Sequence, residues 1–77
     1  MGAFRCEGKI ITLREAEVML CCAKSMTIKE TADFLGISCG TIRKHHDNLR
    51  SKFDLKGYHT LTCFAAKHQA ELEKYVT

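Results

Sequence analysis

Arg43, Lys44, Arg50, Lys52 and Lys56 are the side chains that set the chemistry open to this 77-residue chain. Residues 38–56 carry these five cations against Asp47 and Asp54, whereas residues 1–37 balance five against five and residues 57–77 balance two against two. The whole net charge of +3 therefore sits on one short stretch. An arginine can pair bidentately with guanine O6 and N7, and a lysine can meet the same acceptors or a phosphate. A cationic element confined in this way is the electrostatic footprint of a nucleic-acid reader.

Other chemistry is less well supported. The five cysteines (Cys6, Cys21, Cys22, Cys39, Cys63) form no C-x-x-C pair, and their odd number argues against a closed disulfide framework. Cys21 and Cys22 are neighbours and cannot both point the same way from a helix, so no metal site and no cofactor is expected. No Ser/His/Asp or Cys/His arrangement has the signals that accompany catalysis, and there is no Gly-rich phosphate loop. A chain this short has little room for a deep substrate cleft, and no enzymatic activity is expected. It lacks an apolar run near the ~20 residues a membrane span needs and a secretory h-region at its start, so a soluble cytoplasmic protein is expected.

The elements that must position the cations are marked by their caps. Thr12-Leu13-Arg14-Glu15 and Thr27-Ile28-Lys29-Glu30 both have the capping-box form, Ser38 offers a third N-cap oxygen, and Gly36 can end a helix in the left-handed conformation. They predict four helices, over 12–24, 27–35, 38–53 and 59–74. Apolar stripes agree: Ile28, Thr31, Ala32 and Leu35; then Ile42, Leu49 and Phe53; then Leu61, Phe64, Ala65, Leu72 and Tyr75. No hairpin signal separates alternating runs, so the expectation is an all-α four-helix bundle with a central helix-turn-helix. Residues 1–10 are expected to be an N-terminal arm and 11–77 the domain.

A helix, a glycine turn and a second, basic helix form a helix-turn-helix, whose second helix enters the major groove N-terminus first. Packing Ile42, Leu49 and Phe53 inward turns Gly40, Arg43, Lys44, Asp47, Arg50 and Ser51 outward. Arg43, Lys44 and Asp47 are the expected base readers, Asp47 as an acceptor for a cytosine amino group. Thr27, Lys29, Ser38, Thr41, His46, Arg50, Lys52 and Lys56 are the expected backbone contacts.

Residues 11–57 resemble the LuxR-type (GerE-like) DNA-binding domain. The resemblance rests on Ile11-Thr12-Leu13-Arg14-Glu15-Ala16-Glu17-Val18, Lys29-Glu30-Thr31-Ala32, Leu35-Gly36-Ile37-Ser38, Thr41-Ile42-Arg43-Lys44-His45 and Asn48-Leu49-Arg50-Ser51-Lys52-Phe53-Asp54-Leu55. It implies sequence-specific transcriptional regulation of a bacterial type, by dimers, with the third helix in the major groove and the fourth supplying the dimer contact. The sequence departs from that pattern at Ser25 and Asp54, where the family usually has Gly, and at Thr31, where it has Ile or Val. It also has Tyr58-His59 in place of an Arg-Thr pair. Cys63, Ala66 and Ala70 form a small-residue seam on the fourth helix, and with Lys67 they are the expected homodimer surface. The expected partner is double-stranded DNA, and a second reading is a small interaction module that binds another transcription regulator through the fourth helix.

Overall fold

In the computed structural model, which describes residues 4–57 and 60–76, two short strands precede five helices. They are β1 (Phe4–Cys6), β2 (Lys9–Ile11), α1 (Leu13–Ala23), α2 (Ile28–Leu35), α3 (Cys39–Lys52), α4 (Thr60–Lys67) and α5 (Gln69–Val76). The helical class with a central helix-turn-helix is borne out. Both capping boxes are closed, with Glu15 N donating to Thr12 Oγ1 and Glu30 N to Thr27 Oγ1, and each glutamate accepting from the threonine amide in return. Ser38 Oγ accepts from Thr41 N and caps α3. Gly36 ends α2 at φ 72°, ψ 31°.

Two expectations are corrected. The stretch assigned to an arm and read as free of strands holds an antiparallel hairpin, pairing Phe4 with Ile11, Arg5 with Ile10 and Cys6 with Lys9. Its turn, Glu7-Gly8, has φ of 48° and 82°, the two positive values a type I′ turn requires, and the glycine supplies the second without strain. Cys6 and Ile11 share one face of the ribbon and are buried, which makes the hairpin part of the core. The fourth predicted helix is two, α4 and α5, broken at His68. There Leu72 N donates to His68 O to begin α5, and the imidazole reaches Glu71 Oε1 at 3.0 Å and Glu7 Oε2 at 2.9 Å. The histidine thus ties the hairpin turn to the α4–α5 junction. The expected start of that helix at Tyr58-His59 lies outside the described residues.

Helix α1 is the hub: Val18 and Met19 are fully buried, and it packs on α4, α5 and α3, while α2 packs on α3. Ile11, Ile42, Leu49, Leu61, Ala65 and Leu72 complete the core. Adjacent Cys21 and Cys22 are both buried but serve different neighbours, Cys21 facing Thr31 of α2 and Cys22 facing His46 of α3. Thr31 is buried at a position where an aliphatic residue was the pattern, and its hydroxyl donates back to Thr27 O at 2.9 Å. Ser25 and Asp54 lie at φ 60° and 53°. Both positions where the chain departs from glycine are therefore left-handed.

Candidate nucleic-acid interface

The front of α3 is built for exposure. Ser38, Gly40, Thr41, Arg43 and Lys44 are exposed, with Ile42 turned into the core between them. Among the described residues no ion pair engages Arg43 or Lys44. A Cβ added at Gly40 would meet only Ser38 Oγ, at 3.9 Å, so packing within the chain does not require glycine there. Ser38 and Thr41 share a hydrogen bond of 2.9 Å between their hydroxyls, and Thr27 Oγ1 is the acceptor of its own capping box. Each serves its helix start and leaves the first turn of α2 or α3 open to solvent. Lys29 is exposed and loosely paired with Asp33 at 3.4 Å. Lys56 is exposed.

The rear of α3 is different. Lys52 Nζ donates to Glu15 Oε1 and to Ile10 O, both at 2.8 Å, so its ammonium joins α3 to the start of α1 and to the middle of β2. Glu15 is buried; desolvation alone would raise its carboxyl, but the Lys52 ammonium and the Thr12 amide outweigh it and hold the group below the ordinary carboxylate range. Lys52, expected on phosphate, is therefore occupied internally. His46, also expected on the DNA backbone, is likewise engaged within the fold. Its Nε2 lies 3.3 Å from Cys22 Sγ, and burial, reinforced by the Arg50 guanidinium, lowers its pKa and keeps the ring neutral. A neutral, half-buried imidazole is a poor phosphate contact. Burial pushes the Cys22 thiol up to about 11, which keeps it protonated and unreactive at neutral pH.

Arg50 and Asp47 are brought together, Nη1 to Oδ1 at 3.2 Å, with Asp47 largely solvent-exposed. One candidate base reader therefore has a guanidinium one turn along the helix as its partner. On α4, Cys63, Ala66 and Lys67 face solvent, and Ala70 does so from α5. Leu55, Thr60, Cys63, Phe64 and Lys67 border a shallow apolar groove of about 450 Å³. Tyr58 and His59 lie outside the described residues. Among the described residues no group of three or more His, Cys, Asp or Glu side chains gathers as a metal site, and no helix is long and apolar enough to cross a membrane.

Sequence reasoning missed the Lys52 tie, the Cys22–His46 contact and the Glu7–His68–Glu71 bridge. The Lys52, Cys22–His46 and Glu7–His68 contacts join residues more than twenty positions apart, and only His68 and Glu71, three apart on one helix face, carried a local signal.

A capped helix, a three-residue turn at Gly36-Ile37-Ser38 and a second helix with a free cationic front define a helix-turn-helix protein. The family described as bacterial regulatory proteins, luxR family, matches residues 9–65, and the chain belongs to it. It is a DNA-binding transcription regulator. Neither the curated proteins nor the solved structures contain a match.

Proposed function

We propose that the chain reads operator DNA in the major groove with the front of α3, as a cytoplasmic homodimer. The observation that carries this reading is that Arg43 and Lys44 stand exposed and unpaired in the second turn of α3 while the cations behind them are engaged within the fold. Arg43 and Lys44 read base edges, and Asp47 accepts from cytosine when it parts from Arg50. Thr27, Lys29, Ser38, Thr41 and Lys56, with the open amides of the first turns of α2 and α3, hold phosphates. Lys52 and His46 are left out of the contact set, and Arg50 is shared with Asp47.

Pairing of two copies through Cys63, Ala66, Lys67 and Ala70 is supported by the exposed small side chains and the apolar groove beside them. Selecting bound duplexes from a random pool tests both parts. The expected product is a palindrome whose half-sites are centred about 10 base pairs apart, one helical turn. Unrelated sequences in the selected pool would remove the base-reading role. A single half-site, together with a monomer in sedimentation on DNA, would remove the dimer and leave the α4 groove to a different regulator.

A further inference from the structure

Where α1 ends and α2 begins, the chain leaves a cleft of about 590 Å³ against the middle of α3 and the start of α4. That volume lies in the range of small-molecule sites, roughly 300–1,000 Å³. Met26, Ile28 and Leu61 give it an apolar side. Cys22 and His46, bonded to each other at 3.3 Å, line it as a neutral pair, so its fixed charge comes from Arg50 and Lys29, both positive. No Asp or Glu is among the described residues that line it. Asp47 engages one nitrogen of Arg50, and the planar guanidinium has other N–H donors to offer. An apolar wall facing a cationic fork suits one kind of guest: the fork matches a carboxylate in geometry, and the wall matches a short hydrocarbon or aromatic body.

We propose that this cleft is a binding site for a small organic carboxylate, held by Arg50 and seated on Met26 and Ile28. Arg50 also stands at the edge of the DNA face, so an occupied cleft competes for it with phosphate and lowers duplex affinity. This regulatory step rests on the DNA-reading proposal; binding to the cleft does not.

The test is a titration of the full isotope-labelled chain, without DNA, with sodium 3-phenylpropionate, compared with neutral 3-phenylpropionamide and with sodium chloride at matched ionic strength. The expected result is a saturable shift of the amides of Cys22, Ile28, His46, Arg50 and Thr62 with the carboxylate, and binding about tenfold weaker for the amide. Arg50→Gln should weaken the carboxylate about tenfold while the spectrum stays dispersed, because the half-buried Arg50 is paired only with the exposed Asp47 and lies outside the apolar core. Thr62→Phe, which fills the cleft without changing charge, should do the same. Shifts that do not saturate or lie elsewhere, equal binding of acid and amide, or an unaffected Arg50→Gln protein would each overturn the site. A carboxylate that saturates the cleft but leaves duplex affinity unchanged overturns the competition. Failure of the free chain to bind any duplex counts against the DNA reading alone.

Discussion

The two ends of α3 carry the same kind of side chain and put it to opposite uses. At the front, Arg43 and Lys44 extend into solvent from a helix start satisfied by Ser38; at the rear, Lys52 is drawn onto Glu15 and the β2 carbonyl of Ile10. The difference lies in what packs beneath. Leu49 is fully buried against the hub, and β2 offers the Ile10 carbonyl beside Glu15, so a cation on the rear turn finds a buried carboxylate within reach. Among the described residues, no ion pair or side-chain hydrogen bond ties the hairpin to Arg43 or Lys44. Under the proposed DNA reading, α3 has a free end to meet its partner and a fixed end to hold its angle.

Breaking the fixed end should have the largest effect. Lys52→Met keeps the aliphatic stem and leaves Glu15 buried without its cation, which should cost about 2–3 kcal/mol in a denaturant melt. Because the Lys52 ammonium is held by Glu15 and Ile10, the proposed contact set leaves it out, and the salt dependence of duplex binding by the folded protein should keep its slope; a slope lower by about one would return it to the interface. Protons break the same tie. Glu15 titrates lower folded than unfolded, so its contribution is complete above the ordinary value of 4.5 and is lost as pH falls through the folded value. An acid melt should therefore lose less stability between neutrality and low pH in Lys52→Met than in the parent. Parallel curves would show that the pair does not govern the acid edge.

At the free end the effect should move from stability to binding. Arg43→Ala should leave the melt within about 0.5 kcal/mol of the parent and cost about 1–3 kcal/mol in affinity for the selected operator, concentrated at particular base pairs. Lys56→Ala should instead weaken all duplexes alike. Equal losses from both changes on every sequence would abolish the division between readers and anchors.

Gly40 sharpens the contrast further. A Cβ there meets only Ser38 Oγ at an ordinary van der Waals distance, and a helical glycine is a conformational cost, so Gly40→Ala should stabilise the free protein by about 0.5 kcal/mol. If the backbone at the front of α3 comes close to DNA, the same change should weaken operator binding. A more stable variant with full affinity would show that the close approach does not occur.

What was legible in the sequence was local. Thr12 and Glu15, Thr27 and Glu30, Gly36 and Ser38 act within one turn of each other, and their spacing alone placed the starts of α1, α2 and α3 to within a residue. The two capping boxes read identically, yet Glu15 is buried on Lys52 and Glu30 is exposed, because embedding depends on elements far away in the chain. For the same reason Arg43 and Lys44 could be placed outward from helical period, whereas Lys52 and His46, at positions equally polar in sequence, could not be assigned to the interior. The hairpin escaped because each strand has three residues, too few for alternation to show. The break in the last helix falls at His68, whose ring meets Glu7, sixty-one positions earlier, a contact that no local pattern shows.

The smallest effect concerns how the fixed end of α3 is closed. Asp54 follows the C-cap Phe53 at φ 53°, and Leu55 N donates back to Arg50 O at 2.7 Å, the arrangement in which glycine is the favoured residue. Aspartate is disfavoured there on two counts: its Cβ resists the left-handed conformation, and its charge sits at the negative end of the helix dipole. Asp54→Gly relieves both but frees the unfolded chain, which returns part of the gain, so the net should be a stabilisation of about 0.5–1 kcal/mol. Asp54→Asn removes only the charge and should recover about half of that. Ser25→Gly, at φ 60° after α1, offers the backbone relief without the charge and should match the difference between the two Asp54 variants. If Asp54→Gly proved destabilising, the carboxylate would have to be holding the rear turn in a way the helix end does not explain, and the anchored end of α3 would extend beyond Lys52 to Asp54.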